Sequence, residues 1–107
     1  MINQYAVYWV DLNPTKGAEI NKVRPCVIIS PVEMNDNLKT VIIAPVTSAG
    51  RDGYPTRTSI SVGNITGWIV LHQIRAIDKT RLCDLAGQLS DDEISALKSI
   101  LVEMLVD

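Results

Sequence analysis

Eight polar side chains stand at the ends of apolar runs or in the polar stretch between two of them. Arg24 opens the run PCVIIS, Thr47 and Ser48 close VIIAPV, and His72, Gln73 and Arg75 lie at and just past the end of GWIVLH, with Lys16 and Glu19 in the polar stretch before Arg24. An arginine at the mouth of a buried strand is costly to desolvate and keeps its proton. It therefore needs a carboxylate, backbone oxygens or a phosphate. Each residue also has a structural reading. Arg24 can be a salt-bridge donor, and Glu19 can pair with Lys22 or Arg24. Thr47-Ser48 is ordinary turn chemistry. His72 alternates with apolar neighbours, as a half-buried strand histidine does, and Arg75 can be a solvated charge. Both readings stay open on residue types alone. What favours chemistry is that all eight fall at strand ends or in loops, which a small twisted barrel brings together.

The elements that must position them are short strands. Gln4–Val10 (QYAVYWV), rich in aromatic and β-branched residues, predicts the first. About fifteen residues of polar loop follow, long for a small domain unless the loop has work to do. Pro25–Ser30 predicts a strand covered on both faces, because its apolar run is unbroken. Val32–Asn37 has room for one helical turn. Lys39–Val46 predicts a third strand, with Pro45 where no ladder donor is needed. Thr56–Val62 alternates, Gly63-Asn64 is turn chemistry, Gly67–Ile74 is a fifth strand, and Arg81–Gly87 a short sixth. Ser90 followed by Glu93 is a capping box, and Ile94, Leu97, Ile100, Leu101, Met104 and Leu105 fall on one face of a helix over 91–105. The expected fold class is mainly β with a C-terminal helix, a small SH3-like barrel in a single domain spanning 1–107.

With 107 residues, 47% of them apolar, the chain can bury only a small core, which favours self-association. No apolar run reaches a membrane span, and the N-terminal residues lack the pattern of a signal peptide. Cys26 and Cys83 read as buried free thiols of a cytosolic protein, and two Cys and one His so far apart make no zinc site. The net charge of −2 conceals an asymmetry: residues 1–81 hold nine of the ten basic and six of the twelve acidic residues. A basic body with an acidic C-terminal segment is compatible with a phosphate-binding face. A solvated acidic helix face explains the second half equally well.

The run VDLNPTKGAEINKVRPCVIIS resembles the start of the MazF/PemK toxins, and the resemblance continues through VIIAPVTS and HQIRAIDKTRL. It covers most of the chain in the family's order and spacing. It implies a MazF/CcdB/Kid-type barrel, a cytoplasmic toxin of a type II toxin–antitoxin pair, and a homodimer that cuts single-stranded mRNA without metal or cofactor. The implied partners are single-stranded RNA, a cognate antitoxin with an acidic, partly disordered tail, and a second copy of the chain, with no membrane.

In that reaction the RNA's own 2′-hydroxyl is the nucleophile, leaving a 2′,3′-cyclic phosphate and a 5′-hydroxyl. The resemblance then gives Arg24 the charge gathering on the phosphate oxygens, a task its fork suits. Thr47 donates to a phosphate oxygen. Lys16, Glu19, Ser48, Gln73 and Arg75 are RNA-binding residues, and Tyr54 or Trp68 can stack on bases. The chain departs from the family in two places. Tyr5-Ala6 stands where relatives have Gly-Asp or a similar pair. His72 stands where they have an acid, which makes it a candidate for proton transfer. Two rivals remain: a CcdB-type toxin that binds a topoisomerase subunit and catalyses nothing, and a non-catalytic RNA-binding module of the same fold.

Overall fold

The computed structural model describes residues 1–12, 23–48 and 55–107. Among the described residues, seven strands and two α-helices follow in the order β1 (Ala6–Asp11), β2 (Val23–Ile28), α1 (Val32–Asn37), β3 (Thr40–Thr47), β4 (Arg57–Val62), β5 (Ile65–Val70), β6 (Arg75–Asp78), β7 (Leu82–Gln88) and α2 (Asp91–Leu105). They make one sheet ordered β4-β5-β3-β2-β1-β7, with β6 paired to β3. The ladders given by register are all antiparallel. The sheet curls into a half-barrel, and its two edge strands come together where a Cβ on Gly87 would lie 2.5 Å from Val62 Cγ1. The expected mainly-β, SH3-like barrel with a terminal helix is what the chain forms.

β3 organises the curl. One of its edges pairs with β2 at Ile43, Ala44 and Pro45. The other pairs with β6 over Thr40–Ile43 and then with β5 at Val46 and Thr47. Pro45, which has no N–H, stands in the gap between those two ladders, where no donor is needed. The strand can therefore change partner without orphaning a backbone group.

Side-chain alternation splits the interior in two. Val7, Val27, Ala44, Val46, Ile60, Ile69 and Leu71 pack with Leu97 of α2, while Ala6, Val10, Cys26, Ile28, Val41, Ile43 and Ile77 form a second cluster. β2 feeds both, as its unbroken apolar run predicts. α2 is fastened by the expected capping box. Glu93 N–H donates to Ser90 Oγ (3.2 Å), and Glu93 Oε1 accepts from Ser90 N–H (2.8 Å). Glu93 Oε2 also accepts from Ser61 N–H (2.7 Å), which clamps the helix to β4. Asn35 is buried with Ser30 and donates to Ile2 O and Ser30 O (3.0 Å each), tying the N-terminus to α1.

Several expectations need correcting. The fifth strand starts at Ile65 and stops at Val70. The ladder with β4 reaches one bond further, Leu71 N–H to Thr56 O (2.9 Å), and the chain enters a 3₁₀ turn, Leu71–Gln73, closed by Ile74 N–H to Leu71 O (3.4 Å). β6 replaces what reads as a loop and turn; only its ladder with β3 makes four residues, three of them exposed, a strand. Cys83 is exposed, not buried. Leu105 is 64% exposed, beyond the core that Ile94, Leu97, Ile100, Leu101 and Met104 face. Tyr5 has φ 67° and bridges two strand ends, its N–H to Ile28 O (2.7 Å) and its carbonyl from Leu89 N–H (3.0 Å). That left-handed conformation is one glycine adopts without strain.

Candidate active site

The β2–β3 register runs Ile28↔Ile43, Val27↔Ala44, Cys26↔Pro45. Continued by two residues, it sets Arg24 opposite Thr47. Both side chains then share one face, since residues two apart on a strand point the same way. A cleft of about 550 Å³ opens there, lined by Trp9, Arg24, Thr47, Ser48 and Asn64 among others. Arg24 and Ser48 are exposed and Thr47 is half-buried. A second cleft of about 320 Å³ lies on the other side of Arg24, lined by Leu12, Arg24, Ile43, Pro45, Gln73 and Arg75. Arg75 arrives by register, paired with Ile43 across the β3–β6 ladder. Arg24 is thus the residue both clefts share.

The electrostatics beneath the clefts are legible in Cys26. Burial pushes its thiol up to about 12, against the opposing pull of the Arg24 and Arg75 guanidinium groups. It is a neutral thiol at physiological pH and no nucleophile. The two cations that bear on it line the second cleft, where developing negative charge would feel both.

The 3₁₀ turn sends three consecutive residues three ways, since it rotates about 120° per residue. Leu71 enters the core, His72 is exposed with Nδ1 2.8 Å from Thr56 Oγ1, and Gln73 enters the second cleft. Read as strand residues, His72 and Gln73 would simply have alternated. His72 lines neither cleft at Arg24. Lys16, Glu19 and Tyr54 lie outside the described residues. Trp68 is half-buried on β5, paired with Thr47.

The chain matches the family described as PemK-like, MazF-like toxin of type II toxin–antitoxin system over residues 3–105. A curated relative, Endoribonuclease MazF of Staphylococcus saprophyticus subsp. saprophyticus, is 32% identical over 106 residues, covering 94% of this chain and 88% of the relative. The chain belongs to this family of endoribonuclease toxins. Solved structures agree on the fold. The crystal structure of MazE-MazF (form II) from Deinococcus radiodurans superposes with a TM-score of 0.85 at 21% identity, covering 98% of this chain and 96% of that one. An endoribonuclease in complex with its cognate antitoxin from a mycobacterial species gives 0.83 at 21% identity, covering 99% and 96%.

Within the MazF/PemK frame, the structure brings Arg24, Thr47 and Ser48 to one cleft and Arg24, Gln73 and Arg75 to its neighbour. Sequence reasoning passed over Trp9, Asn64 and Leu12, which also line them. Trp9 reads as one more β-forming residue, and Asn64 as a turn residue. Only the folding of β1 and the β4–β5 turn around the end of β2–β3 makes them cleft walls. Among the described residues, no helix is long and apolar enough to cross a membrane.

Proposed function

We propose that this chain cuts single-stranded RNA by promoting attack of the RNA's own 2′-hydroxyl on the adjacent phosphate, without a metal ion. The 2′-oxygen loses its proton to solvent water and bonds to phosphorus. The bond from phosphorus to the 5′-oxygen breaks, and that oxygen takes up a proton. The products are a 2′,3′-cyclic phosphate and a 5′-hydroxyl. The observation that carries this reading is the convergence of Arg24, Thr47 and Ser48 on one cleft. The Arg24 fork holds two phosphate oxygens and stabilises the charge that builds on them, and its N–H can share a proton with the leaving oxygen. The Thr47 hydroxyl donates to a phosphate oxygen; as a base it is too weak. Arg75 and Gln73 hold the neighbouring nucleotide in the second cleft, the cation on phosphate and the amide on a base edge. Lys16 and Glu19 are kept as RNA contacts of the first loop. His72, the candidate for proton transfer, takes no step in this reading because it lines neither cleft at Arg24, although its Nδ1 bond to Thr56 leaves Nε2 open.

The same reading makes the chain the toxin of a type II pair, acting on mRNA in the cytoplasm. Its partner is a small antitoxin whose acidic, partly disordered tail covers the cationic clefts. A small core and the exposed apolar side chains Leu85, Leu105 and Val106 support a homodimer. The experiment is digestion of a long transcript and of single-stranded DNA of the same sequence in chelator. RNA fragments with 5′-hydroxyl ends and intact DNA are expected; a magnesium requirement overturns the mechanism.

A further inference from the structure

Trp9 is 37% exposed, although most large apolar side chains on the inner part of the sheet are buried. Its place explains why. The β1–β2 register pairs it with Pro25, next to Arg24. It lines the 550 Å³ cleft that holds Arg24 and Thr47. It also lines a further cleft of about 320 Å³, walled by Val62, Gly63, Asn64, Ile65 and Ala86. Asn64 and Ile65 line both as well. The two spaces thus share three wall residues and adjoin at the indole.

Their chemistries differ. The first carries a guanidinium and the hydroxyls of Thr47, Ser48 and Thr66, and suits a phosphate. The second carries no charged side chain: its walls are an indole, aliphatic groups and glycine, with the exposed Asn64 amide as the polar element. That combination suits a nucleobase, which offers a flat apolar face to an aromatic ring and a donor–acceptor edge to an amide. A phosphate-binding cleft beside a base-binding cleft, sharing walls with it, follows the alternation of a nucleotide chain.

We propose that Trp9 and Asn64 form a subsite for one base flanking the phosphate held at Arg24, with Trp9 as stacking platform and Asn64 on the base edge. The inference rests on the reading of Arg24 and Thr47 as the phosphate site. The occupant is RNA and not an apolar segment of a protein partner, because the space shares Trp9, Asn64 and Ile65 with the phosphate site and offers a hydrogen-bonding amide.

The probe is a short RNA carrying the cut sequence, found by mapping 5′-hydroxyl ends. It has a 2′-deoxy nucleotide at the cut position, which blocks cleavage, and 2-aminopurine at each flanking position in turn. Wild-type protein is expected to quench 2-aminopurine at one flanking position, with the stacking signature. Trp9→Ala, with its fold checked by circular dichroism, loses that quench and binds at least about fivefold more weakly, the scale of one lost base–aromatic stack. Trp9→Phe keeps most of the binding. An abasic residue at that position weakens the wild type but not Trp9→Ala. The subsite is overturned if the abasic residue weakens both proteins equally, or if Trp9→Ala binds RNA as the wild type does. It is also overturned, in favour of a protein occupant, if Trp9→Ala fails only to bind the antitoxin. If wild-type protein neither cuts nor binds RNA, the phosphate site itself is wrong, an outcome distinct from loss of the subsite alone.

Discussion

The two ends of the half-barrel treat polar groups in opposite ways. Where α2 meets β4, they are tied up: Glu93 alone accepts from Ser90 and Ser61, and Ser90 returns a bond to Glu93. Where β2 and β3 end, Arg24 and Ser48 are exposed, and among the described residues no carboxylate or carbonyl holds the Arg24 guanidinium. The first arrangement stabilises by satisfying donors that the start of a helix leaves open. The second leaves donors facing a cleft, where a ligand can take them up. Ser61, Ser90 and Glu93 hold the fold, while Arg24 and Ser48 stand where a ligand can reach them.

That contrast predicts that the two ends fail differently. Arg24→Ala should lower the single-turnover rate of RNA cleavage by about a hundredfold or more, on the order of losing one oxyanion-type donor, while urea unfolding is unchanged. Arg24→Lys should not restore the rate, because the two-pronged contact is lost. A stable, active Arg24→Ala protein would erase the distinction between the two ends. Glu93→Ala should do the reverse, costing about 1–2 kcal/mol in urea unfolding with no loss of rate per folded molecule.

Cys26 sharpens the comparison from below the clefts. The folded thiol ionises at about 12, against 9.0 for an ordinary one, so the folded state holds its proton after the unfolded chain has released it. The stabilisation this gives is complete below pH 9 and is lost as pH rises towards 12, by about 1.4 kcal/mol per unit. Cys26→Val should flatten that part of the alkaline stability profile relative to wild type. The same slope in both proteins would show that Cys26 is not shielded as its burial implies. The smallest effect is expected at His72, whose replacement by Gln should leave the cleavage rate within about threefold of wild type across pH 5.5–8. A larger loss, with the fold intact, would return His72 to the reaction.

The sequence is most informative where its signals are local. α2 runs over the residues its capping box and apolar face predict, and Pro45 stands where a residue without an N–H can stand. Arg24, Thr47 and Ser48 are readable as strand-end residues, and the family resemblance gives Arg24 and Thr47 the phosphate and Ser48 an RNA contact. Their juxtaposition was not readable, because it depends on the β2–β3 register. The stretch after Val70 misled for the same reason: the ladder with β4 runs out at Thr56, and pairing with β3 makes β6. Neither partner is near in sequence. Trp9 looked like a strand former because nothing local says which wall of which cleft a strand residue faces.

The central claim, that the RNA's own 2′-hydroxyl attacks a phosphate held by Arg24, is tested most directly by one atom of the substrate. In chelator, an RNA carrying the mapped cut sequence should be cleaved, and the same RNA with a single 2′-deoxy nucleotide on the 5′ side of the cut should bind with similar affinity and remain intact. Cleavage of the deoxy-substituted RNA at the same bond would contradict the account.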